Sequence, residues 1–227
     1  MNTKLFLLIT LFLGSISLGK TQISKTNANI DAALGFGSGS YSLALSWNRT
    51  HGIGKSNKLR LGYGVRLSSF SGANLTYITA PARLTADASK VDTLSLSKAN
   101  TIGLSALINI QYQFTEKLGL GFNIDALGLG LGGEQEGLFK AQGTTSLNNT
   151  RQSAKPTSTN VLLVGDNDIG QLKSELYVFY KINKGFGLRG GLDYTFSEYT
   201  TSRKLTNDND RFRHKAGLLF IALNKSI

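Results

Sequence analysis

The sequence has no cysteine, two prolines, one methionine and only 17% charged residues in 227 positions. Without cysteine, it cannot form disulfides, thiol nucleophiles or cysteine-ligated zinc sites, and it cannot carry a lipid on a leader cysteine. Its aromatic content and its low charge also exclude a disordered chain. What it has instead is 26 glycines, 41% apolar residues and a formal net charge of +11.

Residues 1–19 predict a secretory signal peptide. Lys4 supplies the positive start, residues 5–13 the apolar run, and Ser17-Leu18-Gly19 a small-x-small cleavage site. The run is too short to cross a bilayer as a helix, so an anchor or a buried first helix is the weaker alternative. We therefore expect a signal peptide at 1–19 and one exported domain at 20–227, which can still cross a membrane as a closed barrel.

Apolar residues recur with a period of two, which predicts strands with two different faces. In residues 101–114, for example, Ile102, Leu104 and Ile108 point one way, whereas Ser105 and Asn109 point the other. Eight such strands are predicted, at about 29–37, 40–49, 59–69, 101–114, 118–131, 171–182, 186–197 and 212–223. The first two could also be one long strand with a bend at residues 35–40, which are rich in Gly and Ser.

The connections between these strands fall into two classes. Residues 50–58, 115–117 and 183–185 are short polar turns. The other connections are long, rich in Ser, Thr and Asn, and contain both prolines; they are residues 70–100, 132–170 and 198–211. Short turns that alternate with long loops are typical of an outer-membrane barrel, and eight strands put both termini in the periplasm.

Charge is confined to one of the two faces. The apolar face has no Asp, Glu, Lys or Arg, and His214 is its only imidazole. The opposite face is expected to carry Asp31, Arg60, Arg66, Asp125, Lys173, Glu175, Lys181, Arg189, Asp193, Arg213 and Lys215. A soluble β-sandwich or a lipocalin would also alternate, with its apolar face inward. The polar face here is rich in Gly and Ser and mixes both signs of charge, which favours a narrow barrel interior.

This pattern resembles the small eight-stranded outer-membrane β-barrel proteins, of the OmpA/OmpX-like or OmpW-like class. The resemblance implies an all-β fold, an eight-stranded antiparallel up-and-down transmembrane β-barrel with short periplasmic turns and long extracellular loops. It covers the mature chain as a pattern and has no sharp motif. One departure is the end of the chain, since such barrels commonly finish on an aromatic residue and this one ends Asn224-Lys225-Ser226-Ile227.

No catalytic residue is predicted. The only histidines are His51, in a predicted turn, and His214, near the outer end of the last strand on the lipid-facing side. Outer-membrane lipid A deacylases look like small barrels with a catalytic His and Ser on the outer surface. Here, however, the residue two after His214 is Ala216, and no acid on that face could orient the ring. An interfacial imidazole is the expected role.

Three further motifs predict neither a cofactor nor a metal. Gly54-Lys55-Ser56 resembles the end of a phosphate-binding loop, but Arg49 stands where the first glycine belongs and a strand follows. Gly128, Gly130 and Gly132 are expected to be strand glycines beside a crowded wall. The acidic clusters at 166–168 and 207–210 lack the spacing of a calcium loop, and we expect solvated turns there.

The remaining charges define two candidate sites. An interior network of paired charges is expected because unpaired charges are costly in a tight interior; its members are Asp31, Arg60, Arg66, Asp125, Lys173, Glu175, Arg189 and Asp193. Loop cations are expected to face lipopolysaccharide phosphates; they are Arg83, Lys140, Arg151, Arg203 and Lys204. Nucleic acid is not an expected partner, since there is no basic helix or aromatic platform.

The function predicted from the sequence is that of a non-enzymatic, monomeric outer-membrane barrel with a structural or surface-interaction role. Its expected partners are outer-membrane lipid and lipopolysaccharide. A narrow channel or small-ligand transporter is one alternative, and it would need a continuous wet path past the interior charges. A lipid-modifying enzyme of the outer membrane is the other, and it would need a catalytic cluster.

Overall fold

A computed structural model describes residues 23–37, 39–163 and 165–227, so the predicted signal peptide lies outside the described residues. All strand pairings are antiparallel. The strands are β1 (Thr26–Gly37), β2 (Ser40–Ile53), β3 (Leu59–Thr79), β4 (Thr93–Gln113), β5 (Leu118–Leu131), β6 (Gln135–Lys140), β7 (Thr150–Pro156), β8 (Thr159–Val161), β9 (Leu172–Lys181), β10 (Phe186–Thr201) and β11 (Arg211–Ser226). The one α-helix among the described residues, α1, spans Ala82–Thr85. None of the described helices has the length and apolar content to cross a membrane.

Eight of these strands close into a barrel. Strands β1 to β5 pair in order, β5 pairs with β9, and β9, β10 and β11 follow. Strand β11 then returns to β1, where Ala33 lies opposite Ala222. Because Gly37 lies opposite Ser40, the chain turns sharply between β1 and β2, and the alternative of one bent strand is wrong. The predicted eight-stranded antiparallel barrel is therefore confirmed.

The outer surface of the barrel is an apolar belt. In β4, for example, Leu104 is 45% exposed, whereas its neighbour Ser105 is 2% exposed and faces inward. The belt consists of Leu34, Leu43, Leu45, Leu61, Val65, Leu67, Leu104, Ile108, Ile110, Phe122, Leu129, Leu176, Val178, Leu188, Leu192, Leu219, Ile221 and Leu223. Exposed aromatic residues border it at the end of the short turns, namely Tyr63, Tyr112, Phe114, Tyr180 and Phe186. A polar interior with an outer apolar band and an aromatic border is the arrangement of a transmembrane β-barrel.

A β-bulge in β5 keeps its polar side chains inside the barrel and its apolar side chains in the outer belt. The register with β4 shifts at Leu107, which lies opposite Asp125, whereas Ala106 lies opposite Leu127. The extra residue, Ala126, reverses the alternation, so Asp125 is buried inside and Leu127 is exposed outside. The same strand can therefore contribute a charge to the interior and leucines to the belt.

Glycines make room for aromatic rings inside this narrow barrel. A Cβ atom at Gly119 or Gly121 of β5 would collide with the rings of Phe179 and Tyr177 on β9. Both rings are buried in the interior. Part of the high glycine content therefore comes from packing, since the interior has no space for two side chains at these positions.

The long connections are more ordered than predicted. Strands β3 and β4 extend to Thr79 and Thr93, strands β6, β7 and β8 lie within residues 132–170, and β10 continues to Thr201. Above the barrel, the outer parts of β3, β4, β10 and β11 join β6 and β7 in a second closed circuit of pairing, here called the loop-end ring. The prediction that residues 70–100, 132–170 and 198–211 lie outside the strands is therefore wrong for these segments. Their alternation is short and is interrupted at Asn74, which has a positive φ of 54°.

The predicted faces of the last strand are reversed in the structure. Residues 216–222 of β11 point Ala216, Leu218 and Phe220 inward, and they expose Leu219 and Ile221 in the belt. The cause is that residues 216–223 are apolar or Gly on both faces, so the sequence pattern cannot distinguish them. The register with β1 decides between them.

Candidate functional site: the filled interior

Seven of the eight predicted interior charges meet in one network across the middle of the barrel, here called the charge network. Its centre is Arg66 on β3, which is fully buried. Its Nη1 lies 2.8 Å from Asp125 Oδ1, and its Nη2 lies 3.2 Å from Glu175 Oε2. Asn123 Oδ1 accepts a further hydrogen bond from Nη2 at 2.5 Å. Arg66 therefore connects β3 to β5 and β9 through the lumen.

Two further cations complete the network. Arg189 on β10 pairs with Asp31 on β1 at 2.6 Å and with Glu175 at 3.4 Å. Lys173 on β9 contacts Asp193 on β10, and its Nζ lies 3.8 Å from Glu175 Oε1. The Arg189 guanidinium also stacks on aromatic rings, 4.4 Å from the centre of Tyr177 and 5.7 Å from that of Phe220.

The network holds four carboxylates and three cations, and neutral donors help to satisfy the surplus carboxylate charge. Asp193 accepts hydrogen bonds from the hydroxyls of Ser42 and Thr195 at 2.8 and 2.7 Å. Asn48 donates to Asp31 at 2.8 Å, and Asn123 donates to Glu175 at 2.9 Å. Hydrogen bonds of this kind to ionised groups are about twice as strong as neutral ones. The network therefore fills the lumen with groups that hold one another in place.

Arg60, the eighth predicted member, lies apart from the network. Its guanidinium donates to Thr50 Oγ1 at 3.1 Å and to the carbonyls of Ser24 and Thr50 at 2.7 and 3.2 Å. It forms no ion pair with the described residues. Arg60 thus sits near the short turns, where it holds the start of the described chain.

A second, apolar plug lies above the network inside the loop-end ring. Its core is formed by buried side chains, namely Phe70, Leu75, Tyr77, Leu94, Leu96, Ala99, Phe139, Ala154, Tyr199, Leu205, Phe212, Ala216 and Leu218. The Tyr77 ring packs edge-on against that of Tyr199 at 5.2 Å, and its hydroxyl lies 2.7 Å from Ser197 Oγ. Burial raises the pKa of both tyrosines, so they stay neutral. The lumen is therefore filled twice, once by ions and once by apolar groups.

Arg213 and Lys215 do not belong to the interior, which corrects the sequence prediction. Arg213 lies on the outward side of β11, buried against Glu198 of β10 with 3.0 Å between Nη2 and Oε2. Arg211 Nε binds the other oxygen of Glu198 at 2.6 Å. The backbone of Asp168 covers this group, since its carbonyl accepts hydrogen bonds from both arginines. Glu198 is not among the predicted site residues, because the predicted strand ends at residue 197.

The acidic cluster at residues 166–168 contacts the cations at the start of β11. The Lys215 ammonium lies 3.0 Å from Asp166 Oδ1, and its hydrogen bond and charge lower the pKa of Asp166. Asp168 Oδ1 accepts from the backbone N–H of Leu163 at 2.7 Å. The expectation of a merely solvated turn is therefore wrong for this cluster. In the described part of the chain, no group of three His, Asp or Glu side chains could hold a metal ion.

His214 lies on the inward side of β11, so the prediction that it faces lipid is wrong. Its ring is 5.4 Å from that of Tyr77 and 6.3 Å from that of Phe70, and its Nδ1 lies 2.9 Å from the carbonyl oxygen of Thr76. His51 lies on an exposed part of β2 rather than in a turn. Its ring stacks on Tyr63 at 6.3 Å.

The predicted loop cations are all exposed, but only some of them lack partners. Arg151 pairs with Glu136 at 3.3 Å and Lys204 with Asp208 at 2.7 Å. Arg203 Nε donates to Gln152 Oε1 at 3.0 Å. Arg83 and Lys140 form no ion pair with residues that the structure describes.

The net positive charge is concentrated at the opposite end, around the short turns. Among the described residues, this turn end has nine cationic side chains and one acidic side chain, that of Glu116; the cations are Lys25, Arg49, Lys55, Lys58, Arg60, Lys117, Lys181, Lys184 and Lys225. The loop end has eleven cations, Arg83, Lys90, Lys98, Lys140, Arg151, Lys155, Arg203, Lys204, Arg211, Arg213 and Lys215. It also has nine acids, Asp87, Asp92, Glu134, Glu136, Asp166, Asp168, Glu198, Asp208 and Asp210. The loop end is therefore close to neutral.

No family model and no curated protein matches the sequence. Among solved structures, the chain is similar to Neisserial surface protein A, with a TM-score of 0.42, 12% identity and coverage of 90% of this chain and 98% of that one. It is also similar to the Yersinia pestis outer membrane protein Ail, with a TM-score of 0.38, 10% identity and coverage of 88% and 99%. For the Pseudomonas putida toluene transporter TodX, the values are 0.25, 12%, 91% and 80%. Because these TM-scores are low, the architecture of this chain is established by its own strand pairing and not by these similarities.

Substitution of Arg66 tests the energetic role of the network. Arg66→Met leaves Asp125 and Glu175 buried without their main cation, so we expect the free energy of unfolding to fall by about 3–5 kcal/mol. The exposed control Arg83→Met should change it by less than about 0.5 kcal/mol. Denaturant titration in lipid vesicles measures both. Equal effects of the two variants would contradict a structural role for the network.

Proposed function

We propose that the protein is a sealed barrel of the bacterial outer membrane that acts as a structural or surface-interaction protein and not as a channel or an enzyme. The location is supported by the apolar belt with its aromatic border, and by the predicted signal peptide at residues 1–19. In this location, the short turns face the periplasm and the loop end faces outward.

The observation that carries the proposal is the doubly filled lumen. The charge network crosses the barrel from β1 to β3, β5, β9 and β10, and each of its charged side chains is at most 5% exposed. The loop-end ring above it is closed by backbone pairing and packed with Leu94, Phe139 and Phe212. An eight-stranded barrel has room for little more than its own side chains. A solute that enters from the turn end would therefore meet first the charge network and then the apolar plug.

The non-enzymatic role is supported by the surroundings of His214. Its ring contacts Tyr77, Phe70 and a backbone carbonyl, whereas a hydrolytic centre needs a nucleophile and an acid on the imidazole. The ordered loop end is the part that this proposal assigns to contacts outside the cell. A closed ring of paired strands presents a surface with little conformational entropy to lose on binding.

Single-channel recording in a planar bilayer tests the seal. Folded protein, verified by different electrophoretic mobilities before and after boiling, should produce no defined conductance steps, because the plugs exclude a continuous water path. A general porin, reconstituted in the same way, is the positive control. Regular conductance steps that persist after the protein is purified again to remove contaminating porins would contradict the proposal and favour the narrow channel.

Lipopolysaccharide is the outer ligand that we propose for the loop cations. Arg83 and Lys140 are exposed without ion pairs to described residues, so their charges can reach lipid phosphates. The double variant R83Q/K140Q should bind lipopolysaccharide several-fold more weakly. The matched control is R151Q/K204Q, which removes two cations that already pair with Glu136 and Asp208.

Surface plasmon resonance on immobilised lipopolysaccharide, at two salt concentrations, measures this difference. The effect of R83Q/K140Q should shrink at high salt, because screening weakens exposed charges. If both double variants bind like the unaltered protein, lipopolysaccharide contact through the loop cations is wrong.

A further inference from the structure

The turn end combines an excess of positive charge with a cavity. The cavity is small and partly open to solvent, and it lies between β1, β3, β4, β9, β10 and β11. Three cations line it, namely Arg60, Lys181 and Arg189, and no carboxylate does. Side-chain amides supply further donors, among them Asn29 and Gln113. We call this cavity the cationic chamber.

The charges of the chamber are only partly compensated within the chain. Arg60 and Lys181 form no ion pair with the described residues, and Arg60 is anchored by a hydroxyl and by carbonyls instead. Arg189, in contrast, is paired with Asp31 and Glu175 in the charge network.

The rim of the chamber favours anions as well. Each short turn contributes lysines, such as Lys55, Lys117 and Lys184, and Glu116 has the only acidic side chain that the structure describes at this end. A cleft surrounded by one sign of charge concentrates counter-ions and raises their rate of association. An oxyanion could accept hydrogen bonds from a guanidinium, an ammonium and amides at the same time.

We propose that the cationic chamber is a binding site for a phosphate or carboxylate group presented from the turn side of the barrel. Arg60 and Lys181 supply the charge, and the side-chain amides of Asn29 and Gln113 supply further donors. The site lies next to the charge network and shares Arg189 with it, and it does not depend on which compartment the turns face. The same chemistry could come from a free anion or from the headgroup of an anionic phospholipid.

Titration of the full chain with inorganic phosphate tests the site. The folded protein is held in a nonionic detergent at constant ionic strength, with chloride as the replaced anion, and binding is followed by calorimetry. Lys181→Gln should weaken phosphate binding at least about tenfold, since it removes one charge-assisted contact. The matched control is Lys184→Gln, which makes the same charge change on an exposed turn outside the lining. Heat-dependent mobility verifies that each variant is folded.

The outcomes separate a built site from diffuse attraction. Saturable binding that is retained in Lys184→Gln and lost in Lys181→Gln supports the chamber. The proposal is overturned if phosphate shows no saturable binding when it replaces chloride, or if both variants weaken phosphate binding equally. Where the chamber binds phosphate, vesicles of phosphatidylglycerol that compete identify a lipid headgroup as the source, whereas phosphatidylcholine vesicles should not compete. Competition by neither vesicle identifies a free anion.

Discussion

The structure depends on the ion pairs of Arg66 with Asp125 and Glu175 in the middle of the barrel. These charges lie where water is excluded, so each is tolerated only because its partners are held in position. Their positions in turn require β3, β5 and β9 to keep one register around the barrel. The bulge at Ala126 is part of this requirement, because it turns Asp125 inward and still leaves Leu127 in the belt.

The interior changes its chemistry along the barrel axis. In the middle it is ionic, and above that it becomes apolar, where Tyr77, Tyr199 and Leu205 belong to one buried cluster. The apolar plug lies inside the loop-end ring. This ring lies beyond the belt and needs a core of its own to stay folded. At the turn end, the interior opens into the cationic chamber. The molecule therefore has two closed levels and one open level, and the two proposed roles belong to opposite ends.

The alternation of single residues was enough to predict all eight barrel strands, the outward belt and the inward side of most charges. The prediction succeeded where one face is apolar and the other polar, as in β4. It failed in residues 216–223, where both faces are apolar or Gly and only pairing with β1 decides the register. It also missed Glu198 and the cover over Arg213, because a buried pair on the outward side of a strand depends on a distant loop that sequence periodicity does not reveal. The cationic chamber was missed for a related reason, since Arg60, Lys181 and Arg189 are far apart in the chain.

The absence of native cysteine allows a direct test of whether the interior is sealed. Single variants Ser46→Cys and Ser105→Cys introduce thiols at inward positions that are 2% exposed, and Ser146→Cys introduces one on an exposed loop. The folded protein in lipid vesicles is treated with a water-soluble, membrane-impermeant thiol reagent, and the extent of modification is followed by mass spectrometry. We expect residue 146 to react fully, and residues 46 and 105 to react only after unfolding. Modification of the two inward residues in the folded protein, at a rate comparable to that of residue 146, would contradict a sealed barrel.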